Sequence, residues 1–175
     1  MARILAIDPG SVSGAWALLI DTETTPGTTP DQTDQRVIVR TDDLPVIAKQ
    51  VDAHQFARLV LDLAPSIAVI EQVGVLPKQG IASGFRFGVS VGLVRGVLAA
   101  LQVPLYAVAP GTWKRHFKLA ADKEQARAMA QRIYPQVANI HLKKHHNRAE
   151  AVLLATYWRA LNPDNKIQPY PQHNA

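Results

Sequence analysis

Residues 3–8 read RILAID, a continuous apolar run that ends on an acidic residue, and residues 67–71 read IAVIE and end in the same manner. Continuous apolar runs of this length are typical of central strands that are covered on both faces of a sheet. If the two strands are neighbours, the carboxylates of Asp8 and Glu71 meet at one edge of that sheet. These runs therefore predict an α/β fold with two acidic residues at the same edge.

The segments around these runs extend the pattern of strands and helices. Further strands are predicted at 14–20, 36–40 and 103–108, and helices at 54–63, 110–117, 122–133 and 145–160. The Thr- and Pro-rich segment 22–35 is expected to be an exposed loop. The pattern predicts a mixed five-stranded sheet flanked by helices, with one domain over residues 1–160 and a poorly ordered tail at 161–175.

A glycine falls at every fourth position from residue 80 to residue 96. In a helix these glycines lie along one edge and each costs roughly 1 kcal/mol in propensity, which close approach to a sheet or to a second subunit would offset. A glycine loop followed by a helix from Val89 onward fits the pattern equally well. Three basic residues in or beside the segment argue against a membrane span: Lys78, Arg86 and Arg95.

Composition narrows the classes of protein that the chain can represent. It has 175 residues, a formal net charge of +5 and no cysteine, which excludes disulfide frameworks, thiolate zinc sites and cysteine nucleophiles. The short apolar start predicts no signal peptide, so we expect a cytoplasmic protein. Nine Lys or Arg against two acidic residues between positions 110 and 148 indicate either a phosphate-binding face or ordinary solvated helix surfaces.

The stretch 143–158, KKHHNRAEAVLLATYW, places polar residues on the apolar face of a helix. His146 and Glu150 are four residues apart and share the face that the apolar stripe continues, while Asn147 is a close alternative to His146. Burying these side chains unpaired would cost several kcal/mol, a cost that metal coordination removes.

Together, Asp8, Glu71, His146 and Glu150 form a candidate metal site. Three carboxylates and an imidazole suit Mg²⁺ or Mn²⁺, and they suffice for two ions that activate water for attack on a phosphodiester. Taken singly, each residue has an ordinary structural explanation, as a turn residue, a strand-end charge or part of a helix N-terminal pair.

Five segments in order resemble RuvC-type Holliday junction resolvases, especially the shorter phage forms: AIDPGSVSG, IEQVG, FRFG, VAPGTWKRHFKLAADKEQA and HHNRAEAVLLATY. The resemblance covers nearly the whole chain as far as about residue 160. It implies a ribonuclease H-like fold, a homodimer and paired symmetrical nicking of four-way DNA junctions with Mg²⁺ or Mn²⁺. It also implies a location at the nucleoid of a bacterial cell or a phage-infected host.

The resemblance assigns roles to individual residues. Asp8, Glu71 and Glu150 fall on the acidic residues of the family. Lys123 and Lys114 match basic residues that contact or stabilise the cleaved phosphate.

Two positions depart from the family pattern. The family usually has an acid, sometimes a histidine, three residues before its last acidic residue, where this chain has Asn147; we expect His146 and Glu150 together to fill the role, the alternative being a weakened metal site. Gly74 stands where the bacterial proteins have an aromatic wedge, and Phe85 or Phe87 is a candidate to stack on junction bases instead.

Two other functions compete with nuclease activity. One is a junction-binding protein that has lost catalysis through the change at position 147. The other is an actin-like ATPase or sugar kinase, whose fold also begins with a strand followed by Asp-x-Gly. The second is disfavoured because no further glycine-rich phosphate loop of the expected kind follows and the chain is short for two such lobes.

Overall fold

The computed structural model describes residues 2–10, 14–21, 37–72, 74, 80–119 and 123–162. The described strands are β1 (Arg3–Asp8), β2 (Ala15–Asp21), β3 (Val37–Asp43), β4 (Val46–Ile47), β5 (Gln50–Val51), β6 (Ile67–Glu71) and β7 (Leu105–Val108). The described α-helices are α1 (Ala53–Leu63), α2 (Ile81–Ala100), α3 (Pro110–His116), α4 (Lys123–Ile133) and α5 (His146–Leu161).

Five of the strands form one mixed sheet in the order β3-β2-β1-β6-β7. The first three pair antiparallel, whereas β6 is parallel to both β1 and β7. The predicted mixed five-stranded sheet is therefore confirmed, and the two apolar runs are neighbouring strands, which meets the condition for their acidic residues to lie at one edge. Ile7 of β1 lies opposite Ile70 of β6. The next residues, Asp8 and Glu71, therefore end the two strands side by side.

The sheet separates two hydrophobic cores. Side chains of β1 alternate between them, with Ile4 and Ala6 on the face covered by α5, and Leu5 and Ile7 on the face covered by α1 and α2. All four are essentially inaccessible to solvent. Burying a large aliphatic side chain contributes roughly 1.5–3 kcal/mol, so the continuous apolar run is needed because both faces of the strand are covered.

Helix α1 is set by its two ends. The carboxylate of Asp52 caps the start by accepting from the backbone N–H groups of His54 and Gln55, both at 3.0 Å. At the other end Ala64 takes a left-handed conformation with φ of 41°, directly before Pro65. Helices α1, α3, α4 and α5 each lie within one residue of their predicted bounds.

Helix α2 begins at Ile81, so the glycine series belongs to a helix and the alternative of a loop as far as Val89 is wrong. A Cβ added at Gly88, Gly92 or Gly96 would meet nothing within 4 Å, so the glycine edge faces away from the sheet. With 20 residues and a mean hydropathy of 1.3 over its apolar window, α2 is long and apolar enough to cross a membrane, but it carries Arg86 and Arg95.

The small hairpin β4–β5 is not predicted by the sequence. Each strand has only two residues, and the turn residues Ala48 and Lys49 take positive φ of 49° and 64°. Gly or Asn usually marks such a turn, and neither is present here. Strand β3 also runs three residues beyond its predicted end because it pairs with β2 as far as Asp43.

Two arginines of α5 bind it to the sheet. Nε and Nη2 of Arg148 donate to the two carboxylate oxygens of Asp43 at 2.7 and 2.8 Å, and Nη2 is also 2.8 Å from Asp42. The hydrogen bond from Arg148 holds the pKa of Asp43 below its usual range. Near the other end of α5, Nε of Arg159 lies 2.5 Å from the carboxylate of Asp21. Helix α5 is thus fixed near both ends to the β2–β3 side of the sheet.

Two predicted features lie outside the described residues. These are the exposed loop at 22–35 and the tail, of which only residues 161 and 162 are described. The division into a domain over residues 1–160 and a tail remains a proposal.

We predict that Gly14→Ala destabilises the fold. An added Cβ at Gly14 would lie 2.5 Å from the carbonyl oxygen of Asp8 and 2.6 Å from Cδ1 of Leu44, so backbone has to move. A loss of roughly 1–3 kcal/mol in the free energy of unfolding is expected, measured by urea denaturation. Gly111→Ala is the matched control because its Cβ would meet nothing within 4 Å. Equal stability of the two variants would contradict the prediction.

Candidate active site

Asp8 and Glu71 are the last residues of two adjacent parallel strands, β1 and β6. By the alternation of each strand, both side chains lie on the face covered by α5, and they are 8% and 9% exposed. The sequence-based expectation that the two carboxylates meet at one edge of the sheet is confirmed.

Glu150 adds a third carboxylate from above the sheet. It lies in the first turns of α5, is 7% exposed, and accepts a hydrogen bond from Nζ of Lys114 at 2.9 Å. Lys114 belongs to α3, which follows β7 after a single residue. The site is therefore built from the ends of two central strands and from two helices that cross their carboxyl edge.

The electrostatics of the site show that the three carboxylates act on one another. Burial, followed by the charges of Glu71 and Glu150, raises the pKa of Asp8 to about 7, with the backbone N–H of Gly10 and the charge of Lys114 acting in the opposite direction. Burial also raises the pKa of Glu71, opposed by a hydrogen bond from Trp113 and by Lys114. Negative charge at this edge is therefore under-compensated, which favours an additional cation.

Trp113 is a site residue that the sequence reasoning did not single out. Its indole N–H donates to Oε1 of Glu71 at 3.0 Å, and the Lys114 ammonium lies 5.0 Å from the centroid of its ring. The available signal was its position beside Lys114 at the start of a short helix opened by Pro110 and Gly111. A single tryptophan at such a position is more often read as a core residue.

Comparisons with solved structures show which known structures have a similar fold. No protein-family model matches the chain, and no curated protein is similar to it. RuvC from Thermus thermophilus matches with a TM-score of 0.63 and 16% identity, over 93% of this chain and 95% of that one. RuvC from the same organism in complex with a Holliday junction substrate matches at 0.62 and 15%, over 94% and 96%. The yeast mitochondrial Holliday junction resolvase Ydc2 matches at 0.55 and 13%, over 90% and 78%.

This chain has the ribonuclease H-like fold of RuvC. The fold expected from the sequence resemblance is thereby confirmed over nearly the whole chain. At these identities the similarity concerns the fold, and the roles of individual residues depend on the geometry of this chain.

The three remaining predicted site residues lie in the first turns of α4 and α5. His146 and Asn147 are half-buried in the first turn of α5, and the charges that shift the pKa of Asp8 come from Glu71, Glu150 and Lys114. Lys123 is the first residue of α4, and its side chain lies outside the described part of the structure. The roles of His146, Asn147 and Lys123 therefore stay predictions.

The carboxylate oxygens at this edge of the sheet are ligands of the type that a divalent cation prefers. The three carboxylates offer only oxygen atoms, are buried, and have one ammonium among them. Within the described ranges, no three His, Asp or Glu side chains are grouped closely enough to hold one metal ion. A cation bound here would compete with Lys114 for Glu150.

A groove with a volume of about 480 Å³ lies away from this site and is lined by residues that include Trp16, Arg58 and Asp62. Trp16 pairs with Ile7, so it belongs to the face of the sheet opposite the carboxylates. The candidate chemistry therefore concerns the carboxyl edge on the α5 side and not this groove.

Asp8→Asn is expected to stabilise the protein in the presence of a chelator at pH 8. The pKa of Asp8 rises from 3.8 to about 7 on folding, so ionising this carboxyl costs roughly 4 kcal/mol more in the native state than in the unfolded state. The native state binds more protons than the unfolded state between these pH values, so the parent loses stability as pH rises through that window. Urea unfolding with EDTA at pH 5 and pH 8 measures the difference.

The gain from Asp8→Asn should be full at pH 8 and fall to less than about half at pH 5, where Asp8 is protonated in the native state but ionised in the unfolded state. Asp62→Asn, which removes an exposed carboxylate on α1, should show neither effect. If Asp8→Asn is less stable than the parent at pH 8, the prediction that the native state disfavours ionised Asp8 is contradicted.

Proposed function

We propose that this chain is a structure-selective endodeoxyribonuclease that resolves four-way DNA junctions by paired symmetrical nicks. The observation that carries the proposal is the convergence of three buried carboxylates at the edge of the sheet on the α5 side. It occurs in a fold similar over most of its length to RuvC, including a RuvC structure in complex with a Holliday junction substrate.

We propose that Asp8, Glu71 and Glu150, completed by His146, bind two Mg²⁺ or Mn²⁺ ions. When bound, such ions stabilise charge on the reacting phosphate and lower the pKa of a bound water, which makes it a nucleophile at neutral pH. The carboxylates of this chain would hold these ions, and their burial limits the access of bulk water to the site. Lys114, once released from Glu150, and Lys123 stabilise negative charge on the cleaved phosphate.

Exposed basic residues beside the site support DNA as the partner. Arg115 and Lys118 follow Lys114 at the end of α3, and Lys143 and Lys144 directly precede α5. Lys and Arg side chains that neutralise phosphates supply most of the sequence-independent affinity for DNA. Because they are near Lys114 and Glu150 in the chain and are exposed, we propose that these residues hold a DNA backbone beside the carboxylate edge. The cytoplasm of a bacterial cell or a phage-infected host is the proposed location.

The exposed face of α2 supports a second copy of the chain as the protein partner. Ile81 is 94% and Phe85 71% exposed, and the glycine edge beyond them would let another backbone approach closely. Phe87, by contrast, is buried, which leaves Phe85 as the candidate for stacking on bases where it is not covered by the second copy. A symmetric dimer carries two identical sites, as two symmetrical nicks require.

Junction cleavage tests the proposed activity directly. A labelled immobile four-way junction and a linear duplex of the same sequence are incubated with the chain in Mg²⁺, Mn²⁺ or EDTA. Paired nicks are expected in the junction alone and only with metal. Glu150→Gln should lower the rate by about 100-fold or more, because it removes a charged group at the reaction centre. Asp62→Asn is the control and should cleave like the parent.

The outcomes of this assay separate the alternatives. Tight junction binding without nicking in either metal would identify a binding protein of the same fold. Cleavage of duplex and junction alike would contradict structure selectivity, and full activity of Glu150→Gln would contradict the site.

Gly92→Glu is expected to convert the dimer into a monomer without unfolding it. A Cβ added at Gly92 meets nothing within 4 Å in its own chain, and the glutamate places bulk and charge on the glycine edge. The mass measured by light scattering should fall by half. The variant monomer should still unfold in a cooperative thermal transition. Ala128→Glu, at an exposed position of α4, is the matched control. A parent that is monomeric at all concentrations would contradict the assignment.

A further inference from the structure

The indole of Trp113 contacts two charged groups of the site, the carboxylate of Glu71 at the end of β6 and the ammonium of Lys114 on α3. It is 1% exposed and packs in the core beneath α5, so its ring has little freedom to move. From this fixed position it donates to Oε1 of Glu71 at 3.0 Å and lies under the ammonium of Lys114, which in turn binds Glu150. We infer that Trp113 is a positioning residue that holds the Glu71 carboxylate in the orientation in which a divalent cation is bound.

The backbone around Trp113 makes this contact rigid. Val108 lies opposite Glu71 in the register of β7 and β6, and its carbonyl accepts from the N–H of Gln72 at 2.8 Å. Helix α3 starts two residues later with Pro110 at its first position, where a fixed φ favours helix initiation. The indole is thus carried by chain that is hydrogen-bonded to the strand of the carboxylate it orients.

The chemistry of an indole suits this task. Its N–H is a donor that neither ionises near neutral pH nor carries a charge, so it orients Glu71 without competing as a cation. Phenylalanine would fill most of the same volume but would leave Oε1 of a buried carboxylate without its donor. The contact with Glu71 therefore distinguishes a positioning role from simple filling of the core.

Trp113→Phe tests the inference by the binding of Mn²⁺ alone, measured by titration calorimetry on the full chain. Partners that orient metal-binding side chains typically contribute 10–100-fold in affinity, so we expect Mn²⁺ binding to weaken by about 10-fold. Junction affinity in EDTA should be unchanged. Trp158→Phe is the matched control, because Trp158 stacks on Tyr106 with ring centroids 4.5 Å apart and should leave Mn²⁺ affinity intact.

The double variant Trp113→Phe/Glu71→Gln separates an effect through Glu71 from general loosening. Once Glu71 is neutral, loss of the indole donor should weaken Mn²⁺ binding no further. A further loss equal to that of the single variant would overturn the inference. So would a folded Trp113→Phe protein that binds Mn²⁺ as tightly as the parent.

A second measurement does not require the Trp113 variant to fold. The chain has three tryptophans, so in Trp16→Phe/Trp158→Phe the fluorescence comes from Trp113. Paramagnetic Mn²⁺ bound beside Glu71 should quench it, and excess Mg²⁺ should restore it. Absence of quenching at saturating Mn²⁺ would overturn the inference.

The inference rests on the proposed metal-dependent function, and the two fail in different ways. A parent chain that binds no Mn²⁺ overturns both. A parent that binds Mn²⁺ and nicks junctions, with Mn²⁺ affinity indifferent to Trp113→Phe, overturns the positioning role alone.

Discussion

The burial of three carboxylates at one edge of a sheet is the constraint on which the rest of this structure depends. Asp8, Glu71 and Glu150 are all buried at this edge, and both burial and the neighbouring carboxylates oppose the ionisation of Asp8 and Glu71. A fold can maintain such a cluster only if the surrounding packing is extensive and rigid. The two cores on either side of the sheet supply that packing, and the groups facing the carboxylates offset part of the cost.

Helix α5 shows how the constraint is met locally. Its inward face is almost wholly apolar after Glu150, so the helix is held by packing, while Arg148 and Arg159 bind carboxylates of β3 and β2. Partly exposed ion pairs of this kind contribute little to stability. Their effect is on position. Arg148, two residues before Glu150, binds Asp43 at the end of β3. Asp43 pairs with Ala15, and Ala15 pairs with Asp8, so this ion pair fixes the first turn of the helix near Asp8.

The parts of the fold that were predictable from sequence are those with a local physical signal. Continuous apolar runs identified β1 and β6 with their terminal acids, and helical periodicity with Pro65 identified α1. Trp113 gave no such signal, because its partner Glu71 is 42 residues away in the chain and only the pairing of β6 with β7 brings them together. The turn at Ala48 and Lys49 was hidden because neither residue is a usual turn former. His146 and Asn147 are adjacent and both half-buried at the start of α5. Helical periodicity therefore does not distinguish which of the two completes the site.

The two faces of the sheet connect assembly with chemistry. Val94 and Leu98 of α2 pack in the same core as Ile7 and Ile70, the residues that directly precede Asp8 and Glu71. A partner held against the outer edge of α2 would therefore be joined, through one layer of close-packed side chains, to the strands that carry the carboxylates. Close-packed interiors transmit displacement instead of absorbing it. In the proposed symmetric dimer, the same packing that holds each carboxylate cluster would also relate the two clusters to each other, and the proposed paired cuts across a four-way junction would require such a fixed relation.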